Sequence, residues 1–312
     1  MKIPLEKISD PAISSFGVNL FVLRLDQVHP HISGNKFFKL KYNLEEAKRL
    51  GKDALLTFGG AYSNHIAATA AAGREFGFKT VGIIRGEELA SPNPSKGGEP
   101  SSTLKFAKEQ GMQLHFVSRE EYRNKNQSEL IHSLTDSLNH YILPEGGTNN
   151  LAVKGCTEIT SLIDIPFDFV CCPVGTGGTI AGIISSLKGK QKAVGFSVLK
   201  GGEFLEDDIS KLLNPPSRSE TPPLKGGANS LNHDYHFGGY AKHTPELLKF
   251  IDDFEKQNNI PLEQVYTGKM MFGIYDLIRK GHFPKNSTVI AIHTGGLQGK
   301  LDPLRLPQRG RD

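Results

Sequence analysis

The sequence predicts an α/β protein of two domains built on mainly parallel sheets. Three observations carry that expectation. Short β-branched runs recur between longer stretches of helical period, the pattern of βα units. Two strand-like runs pass into helix-like ones through paired glycines, at Gly59-Gly60 and Gly177-Gly178. The length, 312 residues, is about that of two ordinary domains and needs neither disulfides nor metals to build a core.

In chain order, the expected strands are 19–26, 54–58, 80–85, 112–117, 141–144, 168–173, 193–198 and 288–293, enough for two sheets. Asn43 reads as a helix N-cap with Glu46 completing a capping box, Leu44, Ala47 and Leu50 at helical spacing, and Gly51 closing the end. Thr244-Pro245 opens another helix, with Leu247, Leu248, Ile251 and Phe254 on one stripe. The stretches 90–100 and 215–232, rich in Pro and Gly, read as exposed loops, and no fixed-period repeat is visible.

Composition excludes several classes. Thirty-seven basic against 33 acidic residues leave a net charge of +4, and 38% of residues are hydrophobic, which argues against a nucleic-acid-binding field and against disorder. The three cysteines, Cys156, Cys171 and Cys172, form no C-x-x-C, and the vicinal pair should point to opposite faces of a strand. A reducing cytoplasm is the expectation. The start MKIPLEKISD lacks an apolar signal core, and the uncharged spans 55–73 and 169–187 are interrupted by Gly, Ser, Thr or Asn, so no membrane segment is expected.

Gly175-Thr176-Gly177-Gly178-Thr179 sits between a buried strand and the apolar run IAGIISSL. Backbone N–H groups at the helix start, the positive end of its dipole and two threonine hydroxyls suit a phosphate, and glycine allows close approach. A dinucleotide fingerprint would need glycine at Ile180, and no Walker lysine follows. A tight packing turn is the alternative for the loop taken alone.

Ser33-Gly34-Asn35-Lys36-Phe37-Phe38-Lys39 puts two lysines three apart at a loop-to-helix junction, where both could face one site or form a surface patch. After strand 54–58, Gly59-Gly60-Ala61-Tyr62-Ser63-Asn64-His65 makes a second polar helix start, whose Ser63 and Asn64 also suit simple capping. His65 lacks a spaced carboxylate or second histidine, so no metal site is expected.

Together, Ser33-Gly-Asn-Lys36-x-x-Lys39, Gly59-Gly-x-x-Ser63-Asn-His65, Gly175-Thr-Gly-Gly-Thr179, Val265-Tyr-Thr-Gly-Lys269 and His293-Thr-Gly-Gly296 resemble, in order, the pyridoxal-phosphate family of 1-aminocyclopropane-1-carboxylate deaminases and D-cysteine desulfhydrases. The blocks run from residue 33 to 296. The resemblance implies a tryptophan-synthase-β-like fold (fold type II) of two three-layer α/β domains: a larger cofactor-binding domain of residues 1–46 and 150–312, a smaller one of 47–149, and pyridoxal 5'-phosphate in the cleft between them. It implies that Lys36 carries the cofactor, that Lys39 and Gly175, Thr176, Gly177, Gly178 and Thr179 hold its phosphate, and that Asn64 partners the ring hydroxyl. Ser63 matches the active-site serine, and Tyr240 and Tyr266 match two tyrosines near ring and substrate. Ser63, Asn64, His65 and Tyr266 are the implied substrate contacts.

The chemistry accounts for these residue types. A lysine attacks an aldehyde only when uncharged, and apolar neighbours such as Phe37 and Phe38 plus a nearby cation depress its pKa. Once displaced by substrate, its amine can take the substrate α-proton while the conjugated ring accepts the electrons.

The choice of reaction turns on what faces the ring nitrogen. Where the deaminase branch has Glu after the tyrosine and Leu after the histidine, this chain has Thr267 and Thr294, as the desulfhydrase branch does. A neutral hydroxyl suits loss of a good leaving group better than opening of a cyclopropane. β-Elimination from D-cysteine or a β-substituted D-alanine, giving pyruvate and ammonia, is therefore favoured. The alternatives are ring-opening deamination and a non-catalytic phosphometabolite-binding protein. Tyr62, Ala67 and Phe38 depart from the family's Gln, Arg and Arg, which changes the polarity of the cleft. A homodimer acting on a small amino acid is the family expectation.

Overall fold

The structure, a computed structural model, describes residues 2–86, 101–124, 133, 139–214 and 229–301. All eight expected strands form, and two short ones join them. In chain order they are β1 Leu5–Lys7, β2 Asn19–Leu23, β3 Ala54–Gly60, β4 Lys79–Arg85, β5 Gln113–Val117, β6 His140–Leu143, β7 Phe169–Val174, β8 Lys192–Ser197, β9 Ser230–Asn232 and β10 Thr288–Ile292.

They make a six-stranded sheet, ordered β1-β2-β10-β7-β8-β9, and a four-stranded sheet, ordered β5-β4-β3-β6. Every pairing is parallel except β1 with β2. Ile290 of β10 is level with Phe21 of β2 and with Val170 of β7, so the loops leaving these strands emerge at one edge. In parallel sheets that edge is where ligands bind.

The larger sheet is covered on both faces. Val22, Cys171, Val289 and Ala291 pack into one apolar cluster, and Val170, Cys172, Ile290 and Ile292 into another. The adjacent cysteines thus point to opposite faces, as alternation along a strand requires. On the smaller sheet, Leu55 packs with Ala68 and Ala72 of the helix Asn64–Phe76, while Leu56 and Ile83 pack on Tyr122.

Two expectations are corrected. Asn43 is not an N-cap: the helix Asn35–Arg49 begins eight residues earlier, and the Asn43 amide donates to the Lys39 carbonyl at 2.7 Å from inside it. Its start is set instead by Gly34, at φ +66°, where any Cβ would overlap the Thr294 carbonyl. Only Gly51, with φ +62°, ends the helix as read. The stretch 215–232 is not loop throughout, because Ser230–Asn232 pairs with β8 as an edge strand; residues 215–228, like the expected loop 90–100, lie outside the described residues. The helix Pro245–Asn258 forms as expected, with the Thr244 hydroxyl accepting from the Leu247 N–H and Leu247, Ile251 and Phe254 buried.

Candidate active site

Where the C-terminal edges of the two sheets meet, a pocket is lined by Lys36, Lys39, Ser63, Asn64, His65, Gly146, residues 173–180, Tyr266 and Thr294. Except for Tyr240 and Thr267, every residue singled out from sequence for the site lines it. Tyr240 lines a wider chamber that shares Ser63, Gly146, Gly175, Thr176 and Tyr266 with the first. The two tyrosine rings meet edge to face, 6.0 Å apart.

Lys36 and Lys39 lie one turn apart at the start of their helix. Burial lowers Lys36 to about 8, against a smaller upward pull from the thiols of Cys156 and Cys172. Burial, then the charge of Lys36, lowers Lys39 to about 7. The Lys36 amine donates to Asn35 Oδ1 at 3.1 Å, and Asn35 Nδ2 donates to Thr179 Oγ1 at 2.7 Å. Asn35 therefore ties the lysine to the glycine loop, a role its motif contains but its residue type alone does not announce.

The glycine loop is built to be approached. Gly177, at φ +77°, turns the chain from β7 into the helix Gly178–Ser186, whose first N–H groups have no partners within the helix. A Cβ on Gly178 would meet the Thr148 methyl at 2.9 Å and Lys39 Cε at 3.2 Å. Lys39 Nζ donates to the Gly146 carbonyl and the Thr148 hydroxyl, each at 2.7 Å, and to Thr176 Oγ1 at 3.4 Å. A cation, a helix start and two hydroxyl-bearing threonines around bare glycines form a donor set for a dianion. Beside it stands Lys36, whose amine burial lowers from 10.5 to about 8, so that it gives up its proton far more readily than a solvated lysine. A phosphorylated aldehyde fits both.

Gly146 and Gly147, both at φ +65°, belong to Pro144-Glu-Gly-Gly-Thr148, which the sequence reading passes over. A glycine pair between a strand and the N-cap Asn149 was the available signal. Side chains there would strike Thr176 Oγ1 at 2.7 Å and the His65 ring at 2.7 Å.

Ser63 caps the helix Asn64–Phe76, its hydroxyl accepting from Ile66 N at 3.4 Å, and lines the pocket as well. Asn64 Oδ1 accepts from Gln298 Nε2 at 2.8 Å. Both ring nitrogens of His65 are engaged. Thr57 donates its hydroxyl to the Leu143 carbonyl, so His65 Nε2–H donates to Thr57 Oγ1 at 2.8 Å, and Nδ1 faces the Thr69 hydroxyl at 3.5 Å. Burial keeps that ring neutral, well below its ordinary pKa. His65 lines the pocket as a neutral ring, held firmly by Thr57 and loosely by Thr69.

Of the two threonines thought to face the ring nitrogen, only Thr294 lines the pocket. Thr267 is fully buried, and its hydroxyl donates to Glu263 Oε1 at 3.1 Å. Glu263, missed from sequence, also accepts the N–H groups of Val265, Tyr266 and Thr267 at 2.6–2.8 Å, fixing the turn that presents Tyr266. Burial raises the Tyr266 phenol well above its usual pKa and raises Tyr240 too, so both are donors at neutral pH.

The sequence profile of the family described as "Pyridoxal-phosphate dependent enzyme" matches residues 2–295. A bifunctional D-cysteine desulfhydrase/1-aminocyclopropane-1-carboxylate deaminase, mitochondrial, of Arabidopsis thaliana is 31% identical, over 96% of this chain and 78% of its own length. A putative 1-aminocyclopropane-1-carboxylate deaminase of Pyrococcus horikoshii is 29% identical, over 93% and 88%. The crystal structure of an ACC deaminase homologue superposes with a TM-score of 0.80 at 27% identity, covering 96% of this chain and 90% of its own. A hydrogen sulfide-producing enzyme of Fusobacterium nucleatum, 15% identical with a TM-score of 0.63 over 95% and 96%, shares the fold.

Proposed function

The chain belongs to the pyridoxal-phosphate dependent enzymes, and from that premise we propose that it catalyses β-elimination from a small D-amino acid, D-cysteine foremost, releasing pyruvate, ammonia and the leaving group. One observation supports the choice over ring opening: among the described residues lining the cofactor pocket there is no carboxylate, and Thr294, the residue assigned to the ring nitrogen, lines it. Bound there, pyridoxal 5'-phosphate supplies an electron sink for the bond broken at the substrate α-carbon.

The chain's own groups would do the rest. Lys36 would hold the cofactor aldehyde and would serve as the base for the α-proton, a task suited to an amine lowered to about 8. Lys39, Thr176, Thr179 and the loop N–H groups would hold the phosphate, and Asn64, steadied by Gln298, would partner the ring hydroxyl. Ser63 and the helix start behind it take the substrate carboxylate. Tyr266, protonated and packed on Tyr240, donates to the departing sulfur.

The division into residues 1–46 with 150–312 and residues 47–149 is part of this reading, supported by the four-stranded sheet drawing all its strands from 54–143. Three free, buried cysteines support a reducing cytoplasmic setting, and no helix among the described residues is long and apolar enough to cross a membrane. A homodimer remains the family-based proposal.

The test is a matched panel on the holoenzyme. D-Cysteine should yield pyruvate and sulfide faster than 1-aminocyclopropane-1-carboxylate yields 2-oxobutanoate. The reverse order would replace elimination by ring opening.

A further inference from the structure

The wider chamber, of about 400 Å³, opens from the cofactor pocket, shares five lining residues with it and extends past them to Leu199, Phe204 and Leu205. A leaving group the size of hydrogen sulfide displaces only about one water, roughly 30 Å³. The chamber is within the range of pockets for organic ligands, about 300–1,000 Å³, and the part of it around Leu199, Phe204 and Leu205 lies outside the residues assigned to cofactor and substrate.

Its walls state what it would hold. Leu199, Phe204 and Leu205 form an apolar side. Phe204 opens the helix Phe204–Leu213 and leaves 53% of its surface exposed; of the large exposed hydrophobic residues, it alone among the described ones lines this chamber. A half-bare phenyl ring at a cavity rim gains from an apolar ligand group laid against it. The charged lining residues are one cation, Arg85, against two carboxylates, Glu145 and Asp208, so an anionic tail finds no net attraction. Because Ser63, Gly175, Thr176 and Tyr266 line both spaces, a substituent on the substrate β-carbon would leave the reacting centre past Tyr266 and enter the wide chamber.

We propose that the preferred substrates are D-cysteine thioethers whose sulfur carries an extended, uncharged apolar group of about benzyl size, with Leu199, Phe204 and Leu205 forming the subsite for that group. This rests on the elimination reading above and specifies its substrate class. The reaction balances without any oxidant: R–S–CH2–CH(NH3+)–COO− plus water gives R–SH, pyruvate and ammonium. The α-proton goes to the Lys36 amine, the C–H pair forms the Cα–Cβ double bond, and the Cβ–S pair leaves on sulfur, which accepts a hydrogen bond from Tyr266 and takes its proton from the Lys36 ammonium. Water then hydrolyses the released enamine.

The test compares S-benzyl-D-cysteine, S-carboxymethyl-D-cysteine and D-cysteine on the holoenzyme by pyruvate formation. The S-benzyl compound should exceed D-cysteine about tenfold in kcat/KM, the scale of burying one aromatic face, and should exceed the carboxymethyl compound. Phe204→Ala, a change at an exposed position that spares the fold, should cut the benzyl-to-cysteine ratio severalfold. Calorimetry with S-benzyl-α-methyl-D-cysteine, which has no α-proton to lose, should show the same loss in affinity without any turnover. Good turnover of D-cysteine with no gain from the benzyl group would overturn the subsite and leave elimination standing. A lead for the carboxymethyl compound would overturn its apolar character. Pyruvate from none of the three would remove both readings together.

Discussion

Lys269, only 1% exposed, donates from Nζ to the carbonyl of Gly239 at 2.8 Å and to that of His236 at the same distance. The helix Thr267–Arg279, whose N-cap is Tyr266, therefore also holds the turn that carries Tyr240. Lys269→Met leaves two buried carbonyls unpaired, at roughly 1–3 kcal/mol each. Chemical denaturation should show a loss of about 2–6 kcal/mol on that count. Steady-state kinetics should show turnover falling more than cofactor absorbance, because Tyr240 is released while the phosphate loop is untouched. Equal losses in both would place Lys269 in the scaffold alone.

Lys36 must be uncharged to capture an aldehyde. Its amine is lowered to about 8, so the capture rate in apoprotein should climb with pH and level off above that value. Borohydride should then fix the cofactor on Lys36 alone, read by peptide mapping. Stability runs the other way. A buried lysine with a lowered pKa costs stability wherever it must be charged in the fold, so Lys36→Met should stabilise the apoprotein most below pH 8. The gain should fade as pH rises from 8 toward 10.5, where the unfolded lysine also discharges. A gain independent of pH would mean that the amine is not desolvated.

Thr179 accepts from Asn35 and belongs to the phosphate loop, so Thr179→Ala removes one loop contact and loosens Asn35 from Lys36. Loss of a charge-assisted bond to phosphate costs roughly 1.5–3 kcal/mol. Equilibrium dialysis of pyridoxal 5'-phosphate should register it as about a ten- to hundredfold weaker affinity. Unchanged retention would move the phosphate elsewhere.

Thr294→Val keeps the β-branched shape and removes the hydroxyl. A partner of the ring nitrogen matters most when charge develops, so turnover should fall by about one to two powers of ten, with KM and cofactor binding little changed. Full activity would take Thr294 out of the chemistry and, with it, the ground for preferring elimination.

Much of this was legible in the chain, and the exceptions share a cause. FVCCP between Asp168 and Gly175 reads as a buried strand because nothing in the run is polar and glycine follows. The parallel order of β2, β10 and β7 is not in any local pattern. Asn43 has the chemistry of a cap yet sits mid-helix, since the true start depends on Gly34 meeting Thr294, a contact far apart in sequence. Thr267 sits in the motif of Tyr266 and was read as lining the site, but the carboxylate of Glu263, four residues earlier, turns its hydroxyl inward. Spacing marks which residues are near one another. It does not say which way each side chain faces.

The placing of β10 between β2 and β7 has a consequence for synthesis of the chain. As the protein leaves the ribosome, Lys36 and the glycine loop emerge long before residues 288–292 exist to join their strands. Until then the edges of β2 and β7 stand unpaired, and Gly34 has no Thr294 carbonyl to meet. The burial that lowers the Lys36 amine to about 8 belongs to the completed fold, in which Gly34 meets Thr294. Loading with cofactor is therefore expected late in synthesis, once the last of the ten described strands has joined the sheet between β2 and β7.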